Sequence, residues 1–462
     1  MKLRDIRPIT LIITTLASFL TPFMGSGVNI ALPEIGRNFS LNVVLLSWIS
    51  TIYLLSGAIF LVPIGKLADI YGRKRIFSFG VIIFTLMSLG SGLAPNIWIL
   101  IMVRALQGIG SAMMFGTAMA IITSVYPPGQ RGKALGINIA SVYIGLSMGP
   151  FIGGIITRYI GWRFVFLSII PLGITILYLL THYLHEEWRE ARNQQFDITG
   201  SIIYSLSLLA IMLGFTLLPS WTGGLIIIPG ILGFILFYRI ETGTKYPILD
   251  LSLFLTNRVF AFSNLAALIN YGATFGVTFL MSLYLQYIKG LSPQMAGLIL
   301  IAQPGMQALV SPLAGKISDQ FEPRHVASTG MALTALGLSF LIFIDIDTSI
   351  QYILMSLSIL GTGYGFFSSP NTNAIMSSVD RRTFGVASGM VSTMRMIGQT
   401  FSMGVTMIIM SIFMGQASIT LSTYPAFIQV VQLSTTIFML LCLAGVFISS
   451  VRGNLHTHRN DT

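Results

Sequence analysis

The chain has 462 residues, of which 54% are hydrophobic and only 9% are charged, and its mean hydropathy is +0.82. A composition this poor in charge excludes an ordinary soluble domain and indicates an integral membrane protein. The formal net charge of +11 is distributed over many short loops, so it indicates membrane topology rather than nucleic-acid binding.

Fourteen apolar segments are long enough to cross a bilayer. A spanning helix needs about 20 apolar residues, because the hydrocarbon layer is about 30 Å thick and each residue rises about 1.5 Å. The first segment is too long for a cleavable signal, and no small-residue cleavage site follows it. The predicted spans are 9–31, 44–64, 76–94, 98–124, 134–157, 164–184, 198–218, 224–240, 259–288, 294–314, 327–346, 350–377, 386–415 and 425–450.

Lysine and arginine are distributed unevenly between the two sides of the predicted topology. About twenty lie on the side that holds both termini, two lie inside helices, and four lie on the other side, namely Arg37, Arg158, Arg163 and Lys289. Positively charged loops stay in the cytoplasm. We therefore expect a multi-pass protein of the plasma or inner membrane with both termini in the cytoplasm.

The charged loop from Gly65 to Arg75 returns in weaker form from Gly315 to Arg324. An offset of 253 residues also aligns glycines of the fourth and fifth segments with glycines of the twelfth and thirteenth, which indicates a duplication. Two bundles of six helices alone would give an offset of roughly 180 residues. The observed offset is longer than this, which predicts extra residues between the two bundles. The expected order is a first six-helix bundle at 1–184, a linker with two extra spans at 185–258, a second six-helix bundle at 259–450 and a cytoplasmic tail at 451–462.

The order of these motifs resembles the major facilitator superfamily, and within it the fourteen-span drug:proton antiporter branch. The resemblance rests on the loop Gly65–Arg75, on Arg104-Ala-Leu-Gln107-Gly108-Ile-Gly110 in the fourth helix and on the fifth-helix segment Gly145–Gly154, which is similar to the family's antiporter motif. It implies an all-α polytopic fold, in which two six-helix bundles are related by a pseudo-two-fold axis and joined by a two-helix insertion. It also implies alternating access to a small-molecule substrate.

A conformational latch is implied by the same resemblance at the loop after the second helix. Carboxylates and guanidinium groups at helix ends form charge-assisted hydrogen bonds that hold those ends together. The alternative is that the cations only set the topology. The second copy departs from the pattern, with Glu322-Pro323 where Gly72-Arg73 stands in the first. The latch residues are Gly65, Asp69, Gly72, Arg73, Lys74 and, in the second copy, Asp319.

The fifth helix concentrates small residues and one proline. Glycines allow close approach of helix backbones, and a proline removes one helical hydrogen bond and permits a bend. Tight packing is one explanation of this surface, and the resemblance adds the implication of exchange rather than uniport. The residues are Gly145, Gly149, Pro150, Gly153 and Gly154.

Arg104 is predicted about 9 Å inside the outer end of the fourth helix. A charge at such a depth costs at least about 2.5 kcal/mol unless it faces protein or water. Leu357 stands at the equivalent position of the repeat, so the fold does not require the charge. The resemblance implies a place beside the central cavity and a part in proton handling, and the alternative is a bond to backbone carbonyls. Arg395, nine residues inside the thirteenth helix, either faces the cavity or extends towards water.

The fifteen acidic residues all fall in loops or at helix ends. In the branch that this chain resembles, an aspartate is usual at the position of Met24. A buried carboxylate is the ordinary proton carrier of such transporters, because desolvation brings its titration into the working range. Without one, proton coupling uses Glu34 at the outer end of the first helix or is absent.

A cavity that offers Arg104 and no carboxylate favours neutral or anionic solutes over cations. Several polar side chains are candidate cavity contacts, although a hydrogen bond between helices is the favoured explanation for each of them taken alone. These are Asn29, Gln107, Asn138, Tyr143, Asn270, Gln286, Gln303, Gln307 and Asn371.

The sequence contains no phosphate-binding loop, no His-Glu-x-x-His motif and no cysteine cluster, so we expect neither an enzyme nor a cofactor or metal site. The preferred interpretation is a monomeric secondary transporter that exports apolar or amphipathic small molecules, with protons as the candidate coupling ion. One alternative is a carrier for organic anions or metabolites. The other is a membrane sensor that has lost transport.

Overall fold

The computed structural model describes residues 6–127, 130–218, 220–249, 252–379, 384–415 and 417–453. Fourteen helices within these ranges are long and apolar enough to cross a membrane, and we number them α1–α14 in chain order. The predicted all-α polytopic fold is therefore confirmed. The end of the molecule that holds Arg7 and Val451 is called the open end below, and the opposite end is called the closed end.

The first half contains six spans. Asn42 and Asn96 cap the second and fourth of them by accepting the backbone N–H of Leu45 and Ile99, which satisfies donors that have no partner inside a helix. The sixth span is interrupted after Leu167, close to Pro171. The helices are α1 (Arg7–Phe39), α2 (Val43–Tyr71), α3 (Arg73–Gly92), α4 (Ile97–Val125), α5 (Arg131–Tyr159) and α6 (Arg163–Leu167 and Ile170–Tyr183).

The two inserted spans are α7 (Ile198–Leu217) and α8 (Trp221–Gly243), and a short helix, Ser252–Thr256, leads into the second half. The spans of the second half are α9 (Arg258–Leu283, continued by a π-helical turn Tyr284–Ile288), α10 (Pro293–Leu300 and Ala302–Gln320), α11 (Pro323–Ile342), α12 (Ile350–Ser377), α13 (Phe384–Met414) and α14 (Tyr424–Val451, preceded by a 3₁₀ turn Leu421–Thr423).

The two halves repeat the same helix packing. In the first half α1 packs on α5, α2 and α3 pack on α4, and α3 packs on α6. In the second half α9 packs on α13, α10 and α11 pack on α12, and α11 packs on α14. Each contact of one half has its counterpart in the other, as expected for two bundles related by a pseudo-two-fold axis.

The halves meet where α1 contacts α9 and α10, where α2 and α4 contact α13, and where α5 contacts α10. The inserted helices pack on each other, and α7 also contacts α2 and α13, so the insertion touches both halves. Met24 on α1 and Cys442 on α14 are fully buried. The interface between the halves contains the cavities described next.

Candidate functional site between the two halves

Three hydrogen bonds between α1 and α9 join the halves at the closed end. Pro33 has no N–H, so the carbonyl of Asn29 lacks its usual helical donor, and Ser282 Oγ donates to it at 2.7 Å. Gln286 Nε2 donates to the Ile30 carbonyl at 3.0 Å. Tyr287 Oη donates to the Pro33 carbonyl at 3.3 Å. Together these bonds join the backbone of α1 to side chains of α9 across the halves.

Glycines join α5 and α10 at the same end. A β-carbon on Gly154 would lie 2.5 Å from the Pro293 carbonyl oxygen, and a β-carbon on Gly297 would collide with the Pro150 carbonyl. The two backbones therefore touch directly across the halves, which only glycine permits.

The other glycines of the predicted antiporter motif face α1 within the first half. A β-carbon on Gly145 would lie 2.5 Å from the Phe19 carbonyl oxygen, and one on Gly153 would lie 2.9 Å from the Gly27 carbonyl oxygen. Gly149 packs on the same α1 backbone, at Gly27. The motif thus divides into a packing surface inside one half and a contact between halves at Gly154.

A cavity of about 490 Å³ lies between the halves at the open end. It is large enough for a drug-sized molecule. Its walls come from α2, α3, α4, the residues that follow α8, and α13, including Gly65, Asp69, Leu249 and Thr393.

Two small chambers, of about 40 Å³ and about 50 Å³, lie deeper between the halves and share Leu146, Phe275 and Gln399. Chambers of this size hold no more than a water molecule or two, so a larger solute enters only when the halves or side chains move. No acidic residue is among the described residues that line them. The first chamber is lined by Thr21, Pro22, Gly25, Tyr53, Leu54, Ser111, Phe115, Val142, Leu146, Phe275, Arg395, Met396 and Gln399.

Arg395 is the cation of the first chamber. It is half-buried, and its guanidinium carbon lies 4.4 Å from the centre of the Phe115 ring and 6.0 Å from that of Tyr271. Tyr271 in turn packs edge-on against Tyr364, 5.8 Å away, and contacts Tyr143. Within the described part of the chain, no carboxylate balances this charge. The arrangement favours a solute that brings an anionic group or a carbonyl oxygen.

Arg104 is fully buried and lines none of these cavities. Its Nη1 donates to Gln107 Oε1 at 2.6 Å, and its Nε donates to the Ile49 carbonyl at 3.2 Å. Gln107 Nε2 continues the chain of bonds to Ser88 Oγ at 2.7 Å. Its guanidinium stacks on Tyr53, with 4.2 Å between the Arg104 carbon and the ring centre. Arg104 therefore ties α4 to α2 and α3 behind the chamber wall.

The predicted amide contacts separate into two groups. Asn29 and Gln303 line the second chamber, together with Gln307. Asn138 bonds to Ser18 on α1, Gln286 belongs to the closed end, and Asn371 bonds to Ser263 and Arg452. Asn270 is buried, and neither polar atom of its amide has a partner among the described residues.

Glu34 lines neither of the two chambers. It lines a cavity of about 420 Å³ at the closed end, beside Arg37, Asn38 and Arg163. The position that carries an aspartate in the resembled branch is Met24, whose side chain is fully buried. Neither Glu34 nor position 24 therefore supplies a carboxylate to the chambers.

The predicted latch residues form a cluster within the first half. Arg73 is 4% exposed, and its guanidinium contacts Asp69 at 2.7 Å and Glu190 at 2.6 Å. It also donates to Ser124 Oγ at 2.7 Å. These partners belong to the first half and to the loop that follows α6, and none of them lies in the second half. The side chain of Asp319, the counterpart of Asp69, lies outside the described residues.

The loop that follows α6 completes this cluster. Glu187 accepts the backbone N–H of Lys74 at 2.9 Å and lies against Gly72, whose φ of 124° favours glycine. Gly65 has open space beside it and faces the large cavity. The loop from Gly65 to Arg75 therefore depends on two carboxylates of the loop after α6: Glu190 balances the charge of Arg73, and Glu187 accepts from the Lys74 backbone.

Sequence reasoning missed Arg452, which is 1% exposed at the end of α14. Its Nη1 donates to Asn371 Oδ1 at 2.8 Å and to Ser263 Oγ at 3.3 Å. These bonds join α14 to α9 and α12. In the sequence, Arg452 lies just outside an apolar segment, where a cation that bonds to other helices looks the same as a loop cation that only sets the topology.

Three comparisons with known proteins agree with this architecture. The family model described as Major Facilitator Superfamily matches residues 14–403. The riboflavin transporter RibZ of Clostridioides difficile is 31% identical over 399 residues, which cover 86% of this chain and 86% of that protein. The multidrug resistance protein Stp of Mycobacterium tuberculosis is 32% identical over 404 residues, with 86% and 74% covered.

A solved structure shares the fold. The inward-facing, unoccupied crystal structure of a bacterial homolog of the human lysosomal transporter Spinster superposes with a TM-score of 0.66, at 19% identity, over 99% of this chain and 98% of that one. With the family match over most of the sequence, these findings establish the class. The chain belongs to the major facilitator superfamily.

Proposed function

We propose that the protein is a secondary transporter that exports apolar or amphipathic small molecules by alternating access. The observation that carries this proposal is the asymmetry of the interface between the halves. Hydrogen bonds and glycine contacts close one end, while a cavity of about 490 Å³ opens at the other. A carrier in one of two alternating states has this form.

The direction of export rests on the orientation of the chain. The excess of lysine and arginine at the open end supports a position of this end, with both termini, on the cytoplasmic side of a plasma or inner membrane. Names of relatives such as Stp and the multidrug transporter protein MdtP of Bacillus subtilis, which is 30% identical over 407 residues, support assignment to the fourteen-span drug:proton antiporter branch. We propose a monomer, because each half has its own counterpart within the chain.

A carrier for organic anions or metabolites is the second candidate. Arg395 favours it, because an unbalanced cation in a low-dielectric chamber attracts negative charge. The name of RibZ adds support for an aromatic metabolite that presents carbonyl oxygens. A transport-inactive sensor is the third candidate, and it predicts ligand binding without flux.

Flux into proteoliposomes tests the proposal. Purified protein is reconstituted and given a pH gradient, and a panel of cationic, neutral and anionic aromatic solutes is offered. We expect gradient-dependent flux of at least one amphipathic solute, which a Gly154→Val variant abolishes because the closed end can no longer form. Thermal stabilisation by a solute that shows no flux would favour the sensor, and dependence on Arg395 would favour the anion carrier.

A further inference from the structure

Two carboxyl groups of the insertion lie against each other at the open end. Asp197 caps α7 by accepting the backbone N–H of Gly200 at 2.8 Å. Glu241, near the end of α8, is 3% exposed, and its Oε1 accepts the backbone N–H of Leu249 at 2.7 Å. A β-carbon on Gly200 would lie 2.5 Å from Asp197 Oδ2 and 2.8 Å from Glu241 Oε2. The missing side chain of Gly200 leaves these oxygens room to meet.

The remaining oxygen of each carboxyl group is buried without a donor. Neither Asp197 Oδ2 nor Glu241 Oε2 has a hydrogen-bond partner among the described residues, and both oxygens face the same space beside Gly200. Buried acceptors are almost always satisfied. Two acceptors that face each other are satisfied by one proton between them.

No described cation neutralises the pair. The charged group that acts on Glu241 is Asp197. Arg239 and Lys245, which precede and follow Glu241 in the chain, are exposed. Lys66 on the neighbouring α2 donates to Gln194 at 2.7 Å. Arg395, the charged side chain described on α13, contacts Phe115 and Tyr271 instead. Two adjacent carboxylates without a counter-charge do not both ionise readily.

We propose that Asp197 and Glu241 share one proton at neutral pH and form a proton-binding site within the inserted helices. The site stands on geometry that is independent of any transport activity. Its connection to substrate movement rests on the proposed function. It supplies a titratable carboxyl pair in a chain whose central chambers, within the described residues, have none.

The site is coupled to the wall of the large cavity. Glu241 holds the backbone of Leu249, and Pro247, Ile248 and Leu249 all line that cavity. When the shared proton leaves, two negative charges in contact repel each other, and the side chain that anchors this segment moves. Protonation therefore holds the segment in place, and deprotonation releases it beside the entrance for solutes.

Infrared spectroscopy of the full-length protein in liposomes tests the shared proton. A protonated carboxyl group gives a C=O band distinct from that of a carboxylate. We expect this band at neutral pH in the wild type and its loss in both Glu241→Gln and Asp197→Asn. Glutamine keeps the acceptor for Leu249 and donates to Asp197, and asparagine is as good a helix cap as aspartate, so both variants should fold. The matched control is Glu186→Gln, an exposed carboxyl of the preceding loop, which should retain the band.

Absence of the band in the wild type, or its undiminished presence in both variants, would overturn the proposal. A bound metal ion in place of the proton would also remove the band and fail the test. The coupling is tested by an impermeant thiol reagent on Leu249→Cys. Because the thiolate fraction itself rises with pH, the comparison is between the two proteins: the labelling rate should rise several-fold more with pH in this protein than when Glu241→Gln is added, and an equal rise in both would refute the coupling. Neither readout needs flux, so failure of the transport proposal would be recognised separately.

Discussion

The guanidinium carbon of Arg104 lies 4.2 Å from the centre of the Tyr53 ring, and Tyr53, in contrast to Arg104, lines the first chamber. Tyr53 is fixed on its other side by its hydroxyl, which donates to the Thr21 carbonyl and accepts from the Ser111 hydroxyl. A buried charge thus supports a wall residue of the chamber. This relationship separates the effects of the two membrane-embedded arginines.

Replacement of Arg104 by leucine should reduce stability more than it changes selectivity. The change removes the Arg104 donors from Gln107 Oε1 and from the Ile49 carbonyl, and a buried polar group left unsatisfied costs about 1–3 kcal/mol. We expect a lower melting temperature in detergent and unchanged relative flux of anionic and neutral solutes. A stable variant with altered selectivity would instead place Arg104 at the substrate.

Replacement of Arg395 by leucine should have the opposite pattern. A hydrogen bond to a charged group contributes about 1.5–3 kcal/mol, which corresponds to about tenfold to about a hundredfold in affinity. Flux of anionic solutes should fall by this factor relative to cationic ones, while the melting temperature stays close to that of the wild type. Arg395→Lys, which keeps the charge, is the control and should retain most of the preference for anions.

Gly154→Val should prevent closure of the closed end. Its side chain would occupy the space of the Pro293 carbonyl on the other half. Spin labels at Asn38 and Leu421, which are exposed at that end on different halves, should move apart in the variant. Gly136→Ala on the same helix has open space at its β-carbon and should leave the distance distribution unchanged. Equal distances in both variants would contradict the proposed closure.

Asp69→Asn and Glu190→Gln should be strongly non-additive. Each carboxylate alone can balance the nearly buried guanidinium of Arg73, and loss of both leaves it without a counter-charge. Breaking a buried pair costs about 3–5 kcal/mol, and the partial exposure of both carboxylates reduces this figure. Thermal unfolding of the single and double variants measures the coupling. Additive losses would show that Arg73 does not share its charge between them.

The apolar runs were sufficient to predict the spans but not their ends. The third span was predicted at 76–94, whereas α3 begins at Arg73, because the carboxylates of another loop satisfy the cation at its first turn. The sixth was predicted as one segment, 164–184, and is divided near Pro171. Such ends depend on partners distant in sequence, which hydropathy does not contain.

The candidate site could be predicted only as a set of residue types. Depth in the membrane identified Arg104 and Arg395 alike, but depth does not determine the rotation of a helix about its axis. Rotation is set by packing, and it directs one arginine to a carbonyl of α2 and the other into a chamber. The pairing of Asp197 with Glu241 was equally invisible, since it depends on how α7 and α8 pack together.

The contact of α7 with both halves has a mechanical consequence. Tyr204 of α7 donates to the Ala58 carbonyl of α2 at 3.2 Å, a directional bond that resists sliding. Its contact with α13 is apolar, with Phe215 6.1 Å from Phe401 and Met212 against Gly404. When the halves move relative to each other, sliding should occur at the apolar contact between α7 and α13 and not at the hydrogen-bonded contact between α7 and α2. We therefore expect the insertion to move together with the first half, while α13 slides along the surface of α7.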